Sequence, residues 1–241
     1  MKILADTHTH TDVSDHAYST LYENMCAARD KGIELVACTN HAPALGDAPH
    51  IFHFQCLKDL PRVICGVKFM GGVEANILNG KGEVDMTDEM LKKLDVVIAS
   101  IHNPTYIEKR GGDHTATWMG VIANPYIDIL GHSGSPKFAY DIDTVVRAAK
   151  ENGKCVEINN HSFEVRAENI ERCREIALAC KKIGTNIVVN SDSHFMDNIG
   201  KVDNAVAMLE DIDFPEELIM NLNAETFISY ISKKKNKNFE F

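Results

Sequence analysis

The sequence lacks the features that would place it in several other protein classes. No apolar run reaches the roughly 18 residues that a membrane-spanning helix needs, and no signal-peptide pattern is visible. The seven cysteines include no pair spaced as CxxC, which argues against a sulfur-rich zinc site. We therefore expect a soluble, cytoplasmic protein whose cysteines are reduced and mostly packed in the core, without disulfides.

Positive charge is also scarce. The chain has 25 Lys and Arg residues against 35 Asp and Glu residues, so its formal net charge is −10. The dense basic run SKKKNKN, at 232–238, is interpreted as part of a solvated C-terminal tail. Because nucleic-acid binders usually carry a basic patch, long nucleic acid is not the expected partner. Bound metal ions would still attract a phosphate group locally.

Apolar segments alternate with helical patterns along the chain, and no Pro/Gly/Ser-rich linker interrupts them. The predicted strands are 2–6, 34–39, 68–74, 94–100, 126–131, 155–159 and 185–190. The predicted helices are 19–31, 55–64, 87–93, 115–124, 142–152, 169–183, 203–210 and 215–234. Regular βα alternation predicts parallel strands with helices outside them. We expect one α/β domain over residues 1–235 and a short tail over 236–241.

Metal-capable side chains recur where the predicted strands end. In chain order they are His8, His10, His16, His41, Glu74, His102, His132, Asp192 and His194. The carboxyl ends of strands converge on one face of a βα barrel, whereas in an open sheet they spread along a line. Since six of the seven predicted strands contribute, the pattern favours a closed, TIM-barrel-like fold.

Histidine spacing predicts how these ligands divide among ions. His8 and His10 lie two residues apart, so on a strand they point the same way and can hold one ion. Asp6 shares their face and is a candidate to orient a histidine. Nine ligands exceed the four that one zinc takes. Nitrogen and oxygen donors suit two or three ions of Zn, Mn or Fe, with Glu74 as the candidate bridge.

The remaining polar residues near the strands have ordinary interpretations as well. Glu157 and Asn159, on the sixth predicted strand, fit either a supporting or a structural role. The other four histidines are interpreted as hydrogen-bonded loop or core residues: His50, His53, His114 and His161. The sequence contains no GxxxxGK[ST] loop and no HExxH helix, and GHSGS at 131–135 lacks the last glycine of GxSxG.

The segments DTHTHT, TNHAP, GGVEAN, ASIHNP, LGHSG and NSDSH resemble the PHP family, named for polymerase and histidinol phosphatase. HAYSTL and GDAPHIFHF are similar to its YcdX-like subgroup of probable phosphatases. The resemblance covers residues 6–194 and implies a distorted seven-stranded βα barrel with a trinuclear metal centre, usually of zinc. It also implies a homotrimer, although no pattern in the residues decides the oligomeric state.

The resemblance assigns the nine residues to three ions. His8, His10, Glu74 and Asp192 would hold the first ion, and Glu74 would bridge to a second. His102 and His132 would complete the second site, and His16, His41 and His194 would hold the third. All nine positions carry the expected residue type. Asn40 replaces the family's usual aspartate before His41, so support of the third ion is expected to be weaker.

The predicted activity is the hydrolysis of phosphate monoesters by a metal-activated hydroxide. Glu74, Asp192 and His132 would be catalytic as ligands of the ions that activate the water, while the third ion neutralises charge on the phosphoryl group. Arg62 is the first candidate for holding the substrate anion. The other candidates are Lys137, Arg166, His50 and His53.

Other functions fit part of the pattern. A phosphodiesterase or nuclease acting on short single strands is the nearest alternative. An amidohydrolase also uses HxH in a barrel, but the segment DVVIASIH lacks its usual bridging lysine. A non-catalytic metal-binding protein is the third alternative, and full occupation of the nine ligand positions weighs against it.

Overall fold

The computed structural model of the protein describes residues 1–108, 110–165 and 167–241. The described strands are β1 Ala5–Thr9, β2 Leu35–Cys38, β3 Val63–Ile64, β4 Val67–Asn76, β5 Val96–Ser100, β6 Ile129–Leu130, β7 Cys155–Asn159 and β8 Ile187–Asn190. The described α-helices are α1 Leu21–Asp30, α2 Phe52–Cys56, α3 Asp88–Leu91, α4 Thr115–Ala123, α5 Ile142–Glu151, α6 His161–Val165, α7 Ile170–Ile183, α8 Asp203–Asp211 and α9 Ala224–Lys235. None of these helices combines the length and the apolar character needed to cross a membrane.

Seven strands form a parallel sheet in the order β1-β2-β4-β5-β6-β7-β8, and β3 pairs antiparallel with β4. Every residue of β1, β2, β5, β6, β7 and β8 is buried, as expected for parallel strands that are covered on both faces. The sheet curves into a nearly closed barrel with the helices outside it. The predicted fold class is therefore confirmed.

The gap between the first and last strands is filled by residues 219–222. The backbone amide of Met220 donates to the Ile187 carbonyl, at 2.9 Å. The amide group of the Asn221 side chain donates to the carbonyls of Ala5 and Val189, at 2.8 and 2.6 Å. The Asn221 side chain thus makes hydrogen bonds to both β1 and β8. In a fully closed sheet, a neighbouring strand would make these bonds.

This seam explains why the predicted helix over 215–234 is wrong in its first half. A short 3₁₀ turn, Glu216–Leu218, precedes the seam residues, and α9 begins only at Ala224. Asn223 caps α9, because its side-chain oxygen accepts a hydrogen bond from the Thr226 amide at 2.8 Å. The need to complete the sheet therefore overrides local helical propensity in this segment.

Helix α9 closes the amino-terminal end of the barrel. Phe227 and Ile231 are fully buried and pack in the same apolar cluster as Leu35 and Met70 of the barrel strands. Burial of such side chains contributes about 1.5–3 kcal/mol each. The amino-terminal end of the barrel is therefore a packed core.

The basic run at 232–238 is not the solvated tail that the sequence suggested. Lys234 and Lys235 lie 3.1 and 2.8 Å from the carboxylate of Asp128, and Lys237 lies 2.6 Å from that of Asp95. Both aspartates directly precede strands and are buried, so their charges require partners. The domain boundary at residue 235 stays a prediction.

The predicted helix over 55–64 is also only partly correct. Helix α2 ends at Cys56, a 3₁₀ turn follows over Leu57–Asp59, and the chain then forms β3. Pro61 disfavours helical backbone at the residue before it, so the chain becomes extended there. A two-residue turn, Cys65 and Gly66, returns the chain into β4.

Candidate metal centre

The nine predicted ligands meet at the carboxyl-terminal mouth of the barrel. A cavity of about 980 Å³ opens there, and its lining includes His16, His41, His102, His132, Asp192 and His194. The other three, His8, His10 and Glu74, are fully buried beside them. His8 lies within β1 rather than after it, because this strand extends further than its apolar run suggests. Glu74 lies within β4, two residues before the strand ends.

Glu74 lies between two sets of histidines. Its Oε1 atom is 3.3 Å from Nε2 of His102 and 2.8 Å from Nε2 of His132. Its Oε2 atom is 3.4 Å from Nε2 of His8 and 2.9 Å from Nδ1 of His41. Each carboxylate oxygen thus faces a different group of nitrogens, which is the arrangement of a bridging ligand.

Asp192 joins the group at Oε2 of Glu74 from the opposite side of the barrel seam. Its Oδ1 atom lies 3.4 Å from Nε2 of His8 and 3.1 Å from Nε2 of His10. These two imidazoles, Glu74 and Asp192 therefore surround one small volume. The structure brings together the four residues that the resemblance assigned to the first ion.

A third group lies nearer the surface. Nε2 of His16 is 3.3 Å from Nε2 of His41 and 3.0 Å from Nε2 of His194. Three nitrogens from three different segments converge there, although His16 lies in a loop and about half of its side chain is exposed. The loop after β1 therefore brings His16 to the two histidines that the resemblance grouped with it.

Several of these histidines have Nδ1 within hydrogen-bond distance of an oxygen acceptor. In a neutral ring, an acceptor at Nδ1 places the one N–H proton there, which leaves Nε2 with a lone pair that points at the other candidate ligands. The four Nδ1 acceptors are Glu157 Oε1 for His8 at 2.7 Å, Asp47 Oδ2 for His16, Asn76 Oδ1 for His102 at 2.7 Å, and the Asp192 carbonyl for His194 at 2.9 Å.

Two of these acceptors were not identified from the sequence. Asn76 lies two residues after Glu74 on β4, so strand periodicity places both side chains on one face and could have indicated it. Asp47 lies in the loop after β2. No sequence pattern connects Asp47 to His16, since the contact depends on how two loops approach each other.

Glu157 and Asn159, which the sequence left open between two roles, both support the cluster. Glu157 accepts hydrogen bonds from Nδ1 of His8 and from the backbone amide of His132, each at 2.7 Å. Asn159 donates to Glu157 and to Asp192, each at 3.1 Å. The two side chains thus connect ligands from distant parts of the chain.

Two other supporting contacts differ from the predictions. The carboxylate of Asp6 accepts hydrogen bonds from the backbone amides of Ser191 and Gly200, at 3.2 and 2.8 Å. These contacts are to backbone amides and not to a histidine ring. Asn40 bonds to Thr11, accepting from its amide at 2.8 Å and donating to its hydroxyl at 2.9 Å. Both residues therefore hold the loops that carry the ligands rather than the ligands themselves.

Burial and charge act in opposite directions on the ionisable groups. Burial alone would raise the pKa of Glu74, but the positive charge that His102, His8 and His41 can carry holds this pKa well below its usual range. Burial lowers the pKa of His8, yet Glu157 and Asp192 outweigh it and raise this pKa. The carboxylates of the cluster are therefore ionised and available as ligands.

His10 is the counterexample within the same cluster. Burial, and then the neighbouring imidazoles of His41 and His194, lower its pKa well below the usual range. Adjacent imidazoles in a buried site cannot all be positively charged, because like charges repel. Neutral imidazole is the form that binds a metal ion.

Two of the predicted ligands occupy backbone conformations that residues with a side chain rarely adopt. His132 has φ +22° and Asp192 has φ +54°. Such conformations cost on the order of 1–3 kcal/mol and are concentrated at functional sites. The hydrogen bond from the His132 amide to Glu157 is one of the contacts that maintain this geometry.

The structure separates the candidate substrate contacts. Lys137 lines the cavity and lies 2.9 Å from the carboxylate of Glu168. Arg62 does not reach the cavity, and we correct that prediction: its guanidinium pairs with Asp95, which precedes β5 at the amino-terminal end of the barrel. The sequence could not show at which end of the barrel the β3 hairpin lies. Arg166 lies outside the described residues.

Of the four remaining histidines, one lines the cavity and three do not. Nδ1 of His50 accepts from the Phe52 amide at 3.2 Å, and His53 contacts Asn40 at 3.2 Å, so neither lines the cavity. His114 hydrogen-bonds to the Tyr106 hydroxyl at 2.8 Å, a structural contact. His161 does line the cavity, with its ring 5.9 Å from that of His194.

The PHP domain family profile matches residues 6–168. The chain therefore belongs to the PHP domain family. A protein named probable phosphatase from Acetivibrio thermocellus is 47% identical over 237 residues, which is 98% of both chains. Another, from Caldanaerobacter subterraneus subsp. tengcongensis, is 41% identical over 98% of this chain and 94% of its own.

The fold is also found in a solved structure. Histidinol phosphate phosphatase from Lactococcus lactis, determined with zinc, L-histidinol and phosphate, superposes with a TM-score of 0.65. The match covers 89% of this chain and 95% of that one, at 16% sequence identity. This likeness shows a shared architecture.

Proposed function

We propose that the protein is a metal-dependent phosphatase that hydrolyses phosphate monoesters at a centre of three ions, with zinc as the first candidate and manganese or iron as alternatives. By class it is a phosphoric ester hydrolase, since relatives named probable phosphatases match nearly its whole length. The observation that carries the proposal is the orientation of His8, His16, His102 and His194. Each has Nδ1 on an oxygen acceptor and Nε2 directed into the cluster.

The donor atoms fit divalent cations. Within the described residues, Nε2 of His8, Nδ1 of His10 and Oε2 of Glu74 are buried and lack a hydrogen-bond partner. A buried polar atom without a partner is costly, and coordination of a metal ion would remove that cost. Groups of three ligand atoms that lie close enough for one ion include His8, His10 and Glu74, and also His10, His41 and His194.

The division into three sites rests on three local groups. His8 and His10 face one oxygen of Glu74 and also contact Asp192. His102 and His132 face the other oxygen of Glu74. His16, His41 and His194 form the third group. Nitrogen and oxygen donors without thiolate suit Zn, Mn or Fe.

Ions held there would supply a Lewis acid for the phosphoryl group and a water of lowered pKa. The chain's own residues position the substrate. Lys137 is the one lysine or arginine among the described residues that line the cavity. Apolar side chains of Ile101, Pro104 and Phe138 line the same cavity. One cation and an apolar surface suit a small phosphate monoester better than a nucleic-acid strand, whose binding needs a basic groove.

The test uses the full chain loaded with Zn²⁺ or Mn²⁺ and compares wild type with Glu74→Gln. We expect turnover of p-nitrophenyl phosphate and other monoesters, and a loss of more than about 100-fold in the variant. Elemental analysis should give three ions per wild-type chain and fewer in Glu74→Gln. Glu151→Gln, an exposed position on α5, is the matched control.

Two results would overturn the proposal. Metal-loaded protein without turnover on a broad monoester panel would reject phosphatase activity. Faster hydrolysis of bis-p-nitrophenyl phosphate or a short single-stranded DNA would instead favour the phosphodiesterase or nuclease alternative. A cytoplasmic location and a trimer stay predictions.

A further inference from the structure

Two partly buried cysteines on different elements face each other. Cys26 lies on α1, and Cys65 lies in the turn between β3 and β4. Their Sγ atoms are 2.7 Å apart. The side chains are therefore directed at each other across an interface between a helix and a hairpin, away from the cavity lining.

The other five cysteines are not arranged in this way. Four of them are buried: Cys38, Cys155, Cys173 and Cys180. Cys56 is exposed. Three thiols are therefore accessible from solvent, and only Cys26 and Cys65 are adjacent to each other. The four buried cysteines fit the expectation of core packing, whereas Cys26 and Cys65 lie outside it.

The backbone at Cys65 is unusual for this residue type. Cys65 has φ +52° and Gly66 has φ +84°, and two positive φ values are typical of the tight turn that usually contains Asn-Gly or Asp-Gly. Cysteine offers no advantage for that conformation. Its thiol instead meets that of Cys26.

We propose that Cys26 and Cys65 form a reversible disulfide that clamps α1 to the β3–β4 hairpin. The oxidant is a low-molecular-weight disulfide such as oxidised glutathione. One cysteine thiolate attacks it, forms a mixed disulfide and releases one glutathione thiolate. The second cysteine thiolate attacks the protein sulfur of that mixed disulfide and releases the other. Two protein thiols lose two electrons, and one glutathione disulfide becomes two thiols.

The clamp would act on a helix that also supports the mouth of the barrel. Asn24 on α1 donates a hydrogen bond to the backbone carbonyl of His10, at 2.7 Å. The disulfide closes a loop of about 40 residues, which restricts the unfolded chain. We therefore expect the oxidised protein to melt about 5–10 °C above the reduced protein.

The test treats the full chain with oxidised glutathione at pH 8.5, because contact with Cys65 and burial raise the pKa of Cys26. Formation of the cross-link removes two hydrogens, so it should lower the mass of the protein by about 2 Da. Cys26 and Cys65 should disappear together from the three accessible thiols. Peptide mapping should find the Cys26–Cys65 cross-link, and dithiothreitol should reverse it. Cys56→Ser is the matched control and should keep the cross-link.

Cys26→Ser and Cys65→Ser should each accumulate a stable glutathione adduct on the remaining cysteine and lose the rise in melting temperature. Stable adducts on Cys26 or Cys65 of the wild type, without a cross-link, would overturn the proposal. So would a cross-link that involves Cys56. Because the peptide map is made on wild-type protein, the outcome does not depend on whether a serine variant folds.

Discussion

Glu157 and His8 form a buried pair, with Oε1 of the carboxylate 2.7 Å from Nδ1 of the imidazole. The second carboxylate oxygen accepts from the backbone amide of His132, also at 2.7 Å. Burial would raise the pKa of Glu157, but His8 outweighs burial and lowers it. One ionised carboxylate therefore orients a candidate ligand on β1 and the backbone of another after β6.

This relationship predicts the effect of Glu157→Gln. The amide places an N–H group where the carboxylate accepts from several donors, so His8 loses its orientation. We expect metal affinity to fall about 10–100-fold, as for other residues that orient metal-bound histidines. Competition with a chromogenic chelator measures it. Unchanged affinity in Glu157→Gln, or an equal loss in the exposed control Glu151→Gln, would contradict this role.

Lys137 and Glu168 predict opposite effects at the mouth of the cavity. Their ion pair is half exposed, so it contributes little to stability. Lys137→Ala should raise KM for a phosphate monoester about 3–10-fold with kcat nearly unchanged. Glu168→Gln should release the ammonium group for substrate and lower KM. Steady-state kinetics measure both effects, and Lys92→Ala, at an exposed position, is the control. A change in kcat without a change in KM would show that Lys137 does not bind the substrate.

Arg62 should matter for stability and not for catalysis. Its guanidinium pairs with the buried carboxylate of Asp95, which also contacts Lys237. Arg62→Ala should lower the free energy of unfolding by about 1–3 kcal/mol, because the buried carboxylate loses a partner. KM and kcat should stay at wild-type values. The exposed pair Arg29 and Asp30 offers a control, since Arg29→Ala should change stability little. A raised KM in Arg62→Ala would restore its place among the substrate contacts.

Lys154 predicts a pH dependence of stability. Burial, and then the charges of Lys234 and Lys235, outweigh the attraction of Asp128 and lower the pKa of Lys154 to about 7. The ordinary lysine pKa in the unfolded chain is 10.5. Between these values the unfolded chain binds more protons, so stability rises with pH in this window and is lowest below pH 7.

Lys154→Met removes this dependence. The free energy of unfolding of the wild type, relative to the variant, should therefore rise by up to about 1.4 kcal/mol per pH unit between pH 7.5 and 9. Urea denaturation at several pH values measures the difference. Parallel pH profiles for wild type and Lys154→Met would show that Lys154 stays protonated in the folded protein.

The alternation of apolar and helical segments was enough to predict the barrel, because it records which faces are buried. The same reasoning failed at 55–64 and 215–234, where a hairpin and the barrel seam replace predicted helix. In the seam, Asn221 satisfies the exposed backbone of two strands, and no local pattern reports such a long-range need. The basic run of 232–238 was misread for a similar reason, since its buried carboxylate partners lie over a hundred residues earlier in the chain.

The sequence by itself determined the nine candidate ligands and their placement near strand ends, and the parallel topology carries those ends to one mouth. Only the tertiary structure decided which oxygen of Glu74 faces which imidazoles, which acceptors hold the histidines, and which cations reach the cavity. Contacts such as His8 with Glu157 and His16 with Asp47 join segments that are distant in sequence. Their geometry depends on strand register and loop approach, which residue order alone does not specify.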